Sequence, residues 1–167
     1  MSTKIRLCLT AVILVATFAL VYTSGASSAQ GPKDLQETVK SIADELKKGN
    51  AVVARNQAVV AAKGIEDVDD LMYLYKSMNL TKRLKNPNVN NAQEIGNLTA
   101  ALAELTLAMP PAKDGANGKT KKAWAEFSEQ TRAAGLQLAK ANNANAVAAA
   151  AVTIHKTCNA CHSKFKD

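Results

Sequence analysis

Cysteine and aromatic residues are scarce in this chain of 167 residues, which has three cysteines and seven aromatic residues. Cys8 lies near the amino terminus, whereas Cys158 and Cys161 lie near the carboxyl terminus. If the amino-terminal segment is removed on export, one cysteine pair remains, which excludes a framework of several disulfides. Strand-like alternation of apolar and polar residues is also lacking, whereas apolar residues recur every three or four positions, as in amphipathic helices.

The amino terminus has the order of residues found in secretory signal peptides. Lys4 and Arg6 precede a long apolar run, which gives way to the small-residue stretch "TSGASSAQ". We predict a signal peptide over residues 1–29, with cleavage after Ala29, and therefore a periplasmic or otherwise exported protein. A retained membrane anchor is the alternative, because the apolar run is only slightly shorter than a bilayer span.

Residues 30–167 have a length that suits a single domain with one core. The whole chain carries a formal net charge of +7 at pH 7. Its lysines are scattered rather than clustered with aromatic residues, and this distribution disfavours a nucleic-acid-binding protein. An acidic protein partner is the functional interpretation of the positive charge, and a solvated surface is the structural one.

Proline and glycine divide residues 30–167 into segments rich in helix-forming residues. Short connections between amphipathic helices favour antiparallel packing, so we predict an all-α fold, an up-and-down four-helix bundle with one or two extra short helices. The stretch "NLTKRLKNPNVN" is predicted to be a loop. The apolar stripes of the main helices consist of Leu35, Val39, Ile42 and Leu46; Ile65, Val68, Met72 and Tyr75; Ile95, Leu98, Leu102, Leu105 and Met109; Trp124, Phe127, Thr131, Ala134, Leu138 and Ala141; and Val147, Ala151, Ile154, Cys158, Cys161 and Phe165.

The last helix carries Cys-x-x-Cys-His, the attachment signature for a c-type haem. Cysteines three positions apart project from neighbouring turns of one helical face, a separation suited to two thioether bonds with the haem vinyl groups. The adjoining histidine can supply the proximal iron ligand. We therefore predict one covalent haem c held by Cys158 and Cys161, with His162 as the metal ligand and no catalytic residue.

Two other interpretations of the motif are weaker. A redox-active dithiol normally lies at a helix amino terminus, where the dipole lowers the pKa of a thiol, whereas this pair lies deep within the final helix. Zinc would need four ligands, and Cys158, Cys161, His155 and His162 are the whole supply of cysteine and histidine after residue 29. Adjacent residues of a helix point in different directions, so Cys161 and His162 are poorly placed to share a zinc ion.

With "CNACH" on the last helix and "SKFK" near the end, the chain resembles class II c-type cytochromes, the cytochrome c′ family. In that family an aromatic and a basic residue follow the motif, here Phe165 and Lys166. The similarity is specific over residues 119–167 and architectural before them. The resemblance implies a helical bundle with haem on its C-terminal helix, a first helix that covers the distal face of the haem, and a homodimer built on the first two helices.

The group opposite His162 would decide between electron transfer and ligand binding. The first helix offers no methionine or histidine on its apolar stripe, so we expect a five-coordinate iron open to NO or CO. Met72, Met78 and Met109 remain candidates for a sixth ligand, although methionines at helical spacing are more often core residues. His155 lies seven residues before His162 on the same helical face, too far along the axis to reach the other side of the ring; we expect it on the surface or at the propionate edge.

Core packing is the first interpretation of Trp124, Phe127, Tyr73 and Tyr75, and haem contact is the second. Lys156, Lys164 and Lys166 are expected to surround the attachment site, where they could steer acidic redox partners in a salt-dependent manner.

The sequence therefore predicts an exported monohaem cytochrome, a one-electron carrier and not an enzyme, with an open distal side. An NO- or CO-binding cytochrome c′ that acts in gas binding or detoxification is the main alternative, and a low-spin His/Met electron-transfer cytochrome is a lesser one. A haem-free helical interaction module is a third class. The expected partners are redox proteins, a diatomic gas and a second copy of the chain.

Overall fold

The computed structural model describes residues 32–166, and the predicted signal peptide with its cleavage site lies outside them. Within this range the chain forms seven α-helices and no strand, which confirms the all-α class. None of these helices is long and apolar enough to cross a membrane. The helices are α1 (Pro32–Lys47), α2 (Ala51–Ala62), α3 (Val68–Ser77), α4 (Leu80–Lys85), α5 (Val89–Ala108), α6 (Lys121–Lys140) and α7 (Ala144–Phe165).

Side-chain caps fix the starts of the three longest helices. Asn88 and Asn91 form a reciprocal capping box at the start of α5. Thr120 accepts a hydrogen bond from a backbone N–H in the first turn of α6, and Asn143 does the same for α7. Such caps satisfy N–H groups that have no partner within the helix, and each stabilises the helix by about 1 kcal/mol.

α5 is the central helix of the described fold. Every residue from 95 to 106 is buried, because α1, α2, α3 and α6 all pack against it. Its predicted stripe is confirmed at Ile95, Leu98, Leu102 and Leu105, although burial extends all round the helix. α7 packs mainly on α6, so α6 connects the C-terminal helix to the rest of the core.

Two glycines allow α5 and α6 to cross backbone to backbone. A Cβ added at Gly135 would lie 2.8 Å from the Gly96 carbonyl oxygen and 2.9 Å from the Ala100 nitrogen. A Cβ added at Gly96 would meet the Ala139 nitrogen and the Gly135 carbonyl oxygen even more closely. No side chain fits at either position, so the pair sets the distance between the two helices.

A wholly buried carboxylate stabilises the same region through ion pairs. Glu104 of α5 accepts hydrogen bonds from Arg55 of α2, at 3.0 Å, and from Arg132 of α6. Glu129 binds both arginines from the outside, at 2.7 Å and 3.3 Å. Because a buried charge is costly unless it is paired, the network holds α2 and α6 at fixed positions on α5.

The prediction of a loop over residues 79–90 was wrong, because this stretch contains α4 and the start of α5. Asn79 has a positive φ of 56° and ends α3 with a turn. Leu80 and Leu84, four residues apart, are both buried and anchor the short helix on the core. Arg83 then pairs with Glu94 of α5 through two hydrogen bonds, at 3.1 Å and 2.6 Å. The described part of the chain therefore has more helices than the five or six segments that its apolar pattern indicated.

The helix crossing gives a first prediction. Gly135→Ala should lower the free energy of unfolding by about 1–3 kcal/mol, because the added methyl group overpacks the crossing. The higher helix propensity of alanine, worth roughly 1 kcal/mol, opposes this loss but does not cancel it. Urea unfolding followed by circular dichroism measures the change. Gly115→Ala is the matched control, since the nearest atom to an added Cβ there is the Lys119 Cβ at 3.3 Å, and no backbone atom comes closer than 3.7 Å. A Gly135→Ala protein as stable as the control would contradict the crossing.

Candidate functional site

The Cys-x-x-Cys-His motif lies near the end of α7, as predicted. Cys158 and Cys161 are both half-buried, and both are free thiols. Cys158 packs against the hydrophobic core, below Ile154, which is fully buried one turn earlier. His162 is exposed, and its side chain makes no hydrogen bond to a described residue. The helix therefore presents two thiols inward and one unengaged imidazole outward.

The two thiols lie in surroundings that favour their protonated form. Burial raises the pKa of the Cys158 thiol from 9.0 to about 11, and the nearby Cys161 adds to the effect. Burial likewise raises the pKa of Cys161. A redox-active dithiol needs the opposite shift, since the thiolate is the reactive form.

In residues 32–166, no group of three or more histidine, cysteine and acidic side chains is arranged to hold a metal ion, so a zinc site gains no support there.

Aromatic contacts fix the last turn of α7. The Phe165 ring meets Trp124 edge to face, with 5.0 Å between ring centroids, and meets Phe127 in the same way at 6.3 Å. The Trp124 indole Nε1 donates a hydrogen bond of 2.7 Å to the Thr106 carbonyl at the end of α5. Trp124 is buried and confirms the prediction of a core residue, whereas Phe127 is half-buried. The helix end that bears the motif is thus held on both α5 and α6.

His155 connects α7 to α4. Its ring is half-buried, and Nε2 lies 3.2 Å from the Leu84 carbonyl oxygen. A carbonyl can only accept, so Nε2 carries the hydrogen and donates it. The ring therefore forms a contact between two helices, and its expected position at the propionate edge stays a prediction.

The two tyrosines of α3 differ in exposure. Tyr73 is 57% exposed, so the prediction that it packs in the core was wrong. Tyr75 is half-buried and packs against the core. Burial raises the pKa of Tyr75, and the nearby thiols of Cys158 and Cys161 raise it further when charged. The position of Tyr75 against the core agrees with the first interpretation of this residue, and contact with haem stays a prediction.

The residues considered for the distal side all pack in or against the core. The stripe of α1 is confirmed as buried, since Leu35, Val39, Ile42 and Leu46 are each at most 7% exposed. The three methionines are half-buried against the same core. They are Met72, Met78 and Met109. Their packing agrees with a core role, and a role as iron ligand stays a prediction.

The raised thiol pKa values give a second prediction. In the chain produced without attached haem, Cys158 should react with iodoacetamide more slowly than an ordinary thiol at about pH 8, because less of it is ionised. Its rate should continue to rise between about pH 9 and pH 11, where an ordinary thiol has already levelled off. Mass spectrometry of the alkylated peptide measures the rate, and the same chain in urea is the control. Faster alkylation in the folded chain than in urea would favour a redox dithiol instead.

The described residues fit the chemistry of a covalently attached haem. Thioether formation needs two reduced thiols, which Cys158 and Cys161 supply on one side of the helix. Iron ligation needs an imidazole with no competing partner, which His162 supplies next to them. Comparison with known proteins identifies no relative, since no protein-family model, curated protein or solved structure matches this chain.

Proposed function

We propose that the protein is an exported monohaem c-type cytochrome that carries single electrons. The supporting observation is the pair of free, half-buried thiols on α7 beside an exposed imidazole. Cys158 and Cys161 would hold the haem covalently, and His162 would be an axial ligand of its iron. The bound haem would supply a one-electron couple, and the protein is not expected to turn over a substrate.

The chain's own residues would have three tasks in this function. The thioether bonds would keep the cofactor from dissociating, and the aromatic contacts of Phe165 would hold the attachment helix in place. The buried apolar stripe of α1 would keep water from the distal side. A low-dielectric, water-poor environment is one of the means by which a protein sets the potential of a haem.

We also propose that the helices form an up-and-down four-helix bundle. The four longest described helices, α1, α5, α6 and α7, would form the bundle, with haem attached to α7. The shorter helices α2, α3 and α4 would then be additions, one more than the two expected. α4 would be joined to α7 through the contact of His155 with Leu84.

Haem attachment gives a third prediction. When exported together with a c-type assembly system, the chain should be heavier by one haem, and replacing both cysteines with alanine should remove it. Replacing His162 with alanine should leave the haem attached but change its absorption spectrum, because the iron loses a ligand. Asn159→Ala is the matched control, since Asn159 is exposed between the cysteines and should retain both mass and spectrum. A wild-type chain without covalent haem would favour the haem-free interaction module.

Carbon monoxide separates a cytochrome with an open distal side from one in which a protein side chain is the sixth ligand of the iron. The apolar stripe of α1 lacks a ligand for iron, so the reduced protein should change its spectrum on addition of CO. An unchanged spectrum would rule out the NO- or CO-binding cytochrome. A methionine-to-iron absorption band in the oxidised protein would instead establish the low-spin His/Met form, with Met72, Met78 or Met109 as ligand.

Lysines near the motif support the expectation of acidic redox partners. Lys156 and Lys166 are exposed on α7 and just beyond it, and Lys164 is half-buried. Charges of one sign around an electron-transfer site increase the rate of encounter with an oppositely charged partner, and salt screens the effect. The association of such a partner should therefore slow as the salt concentration rises.

We also propose that two copies of the chain form a homodimer through their α2 helices. Val52 is 74% exposed and Val60 is 68% exposed, and with Val53 and Val59 they form one face of the helix. The opposite face, which includes Ala54, is buried. α2 has a single charged residue, and that residue, Arg55, is already paired with Glu104 and Glu129. These four exposed valines, which surround Asn56 on the same face, can meet their own copy across a two-fold axis, despite the positive charge of the chain.

The valine face gives a fourth prediction. Replacing both Val52 and Val60 with lysine should convert a dimer to a monomer, because like charges would then meet at the two-fold axis. Analytical ultracentrifugation of the matured protein measures the change. Val152→Lys is the matched control, since Val152 is a 66% exposed valine on α7 and should leave the dimer intact. A wild-type protein that sediments as a monomer would refute the dimer.

A further inference from the structure

A surface hollow lies where α3 turns into α4. It has a volume of about 200 Å³, and it is lined by Lys76, Asn79, Thr81, Lys82 and Lys85. Asn79, with its positive φ of 56°, turns the chain so that the last turn of α3 lies beside α4. Three lysines, one threonine and one asparagine thus line a single concave site, and no carboxylate of a described residue is among them.

The three lysines of the hollow carry charge that no acidic side chain in the described structure neutralises by pairing. No aspartate or glutamate occurs between residues 71 and 93 of the sequence. Glu94, which follows this stretch, is bound to Arg83 through both of its carboxylate oxygens. The three lysines are exposed, and their side chains form no ion pair or hydrogen bond with a described residue.

An exposed aromatic side chain borders the hollow. Tyr73 lies three residues before Lys76 on α3, and residues at that spacing are neighbours on one side of a helix. Tyr73 is 57% exposed. Tyrosine is enriched at protein–protein interfaces, because its ring offers apolar contact area and its hydroxyl can form a hydrogen bond. Tyr73, Lys76, Lys82 and Lys85 together are called the lysine patch below.

The lysine patch lies next to the contact between α4 and α7. Leu84, the residue before Lys85, accepts a hydrogen bond of 3.2 Å from His155 through its carbonyl oxygen. His155 precedes Cys158 by three residues, which is about one helical turn. A molecule bound at the patch would therefore rest on the segment that contacts the helix bearing the cysteines.

The residue types of the patch favour reversible contact with carboxylates over tight capture of a small anion. Tight anion sites commonly use arginine forks or the N–H groups at a helix amino terminus. Lysine is a hydrated point charge on a flexible stem, and its exposed ion pairs are individually weak and sensitive to salt. Several such charges together speed the encounter with an oppositely charged protein.

We infer that the lysine patch docks a protein partner that presents a cluster of aspartate and glutamate side chains. Carboxylates of the partner enter the hollow, and the Tyr73 ring packs against the partner beside it. This surface is different from the lysines near the motif. Docking itself needs no haem, so the inference goes beyond the proposed function, and its failure would leave that function untouched.

The test uses an acetylated hexaglutamate peptide as a probe for acidic protein surfaces, added to the matured protein at low salt. A carbodiimide joins a lysine to a carboxylate only where the two are in contact, and peptide mapping by mass spectrometry locates the product. Lys76, Lys82 and Lys85 should carry most of the cross-linked peptide. Raising the salt concentration should reduce the yield, since salt screens exposed ion pairs.

Calorimetric titration with the same peptide measures the affinity. The double variant Lys82→Gln with Lys85→Gln should bind the peptide about 2- to 30-fold more weakly, the range for loss of two exposed ion pairs. The matched control is Lys40→Gln with Lys47→Gln, which removes the same charge from two exposed lysines of α1 that have no partner in the described structure. The control should bind almost as tightly as the wild type.

Four outcomes would overturn the inference. They are no measurable binding, equal weakening by both double variants, cross-links mainly at Lys156, Lys164 or Lys166, and tighter binding of inorganic pyrophosphate than of the peptide. The third would place the docking surface at the end of α7, and the fourth would make the hollow a small-anion site. None of them bears on haem attachment, which the mass of the matured chain tests separately.

Discussion

The close approach of α5 and α6 is the constraint on which the other helices depend. Gly96 and Gly135 let two backbones meet where any side chain would collide. Because α5 is buried on nearly all sides and α6 supports α7, the distance between these two helices sets where the C-terminal helix lies. The ion pairs of Glu104 with Arg55 and Arg132 reinforce the arrangement, and removal of one partner of such a buried pair typically costs about 3–5 kcal/mol.

The candidate site follows from that arrangement. Phe165 packs on Trp124, which is itself hydrogen-bonded to the end of α5, so the last turn of α7 has a fixed position. The cysteines one or two turns earlier are half-buried, and burial raises their pKa values. Two reduced thiols and an imidazole without a competing partner are what covalent attachment of haem would require of this chain. The same geometry is unfavourable for a redox dithiol, which depends on a stabilised thiolate.

The motif and the helix that carries it could be predicted from the sequence because both are local patterns. Five consecutive residues define the attachment signature, and the apolar spacing of α7 places its cysteines correctly on the half-buried side. The glycine crossing and the pairing of Glu104 could not be predicted in this way, since they join residues that are far apart in the chain. The phase of α3 was misjudged, because a stripe drawn through Val68 and Met72 missed the fully buried Leu71. Tyr73 was placed in the core by the same kind of error.

The central claim is that haem is bonded to the two cysteines of α7, and peptide mapping tests it most directly. Trypsin cleaves after lysine, so digestion of the exported, matured protein should release residues 157–164 as one peptide that contains both cysteines and His162. The account predicts that this peptide carries the mass of one haem and absorbs visible light. The same peptide recovered from the matured protein with two free thiols, or with a disulfide between them, would contradict it.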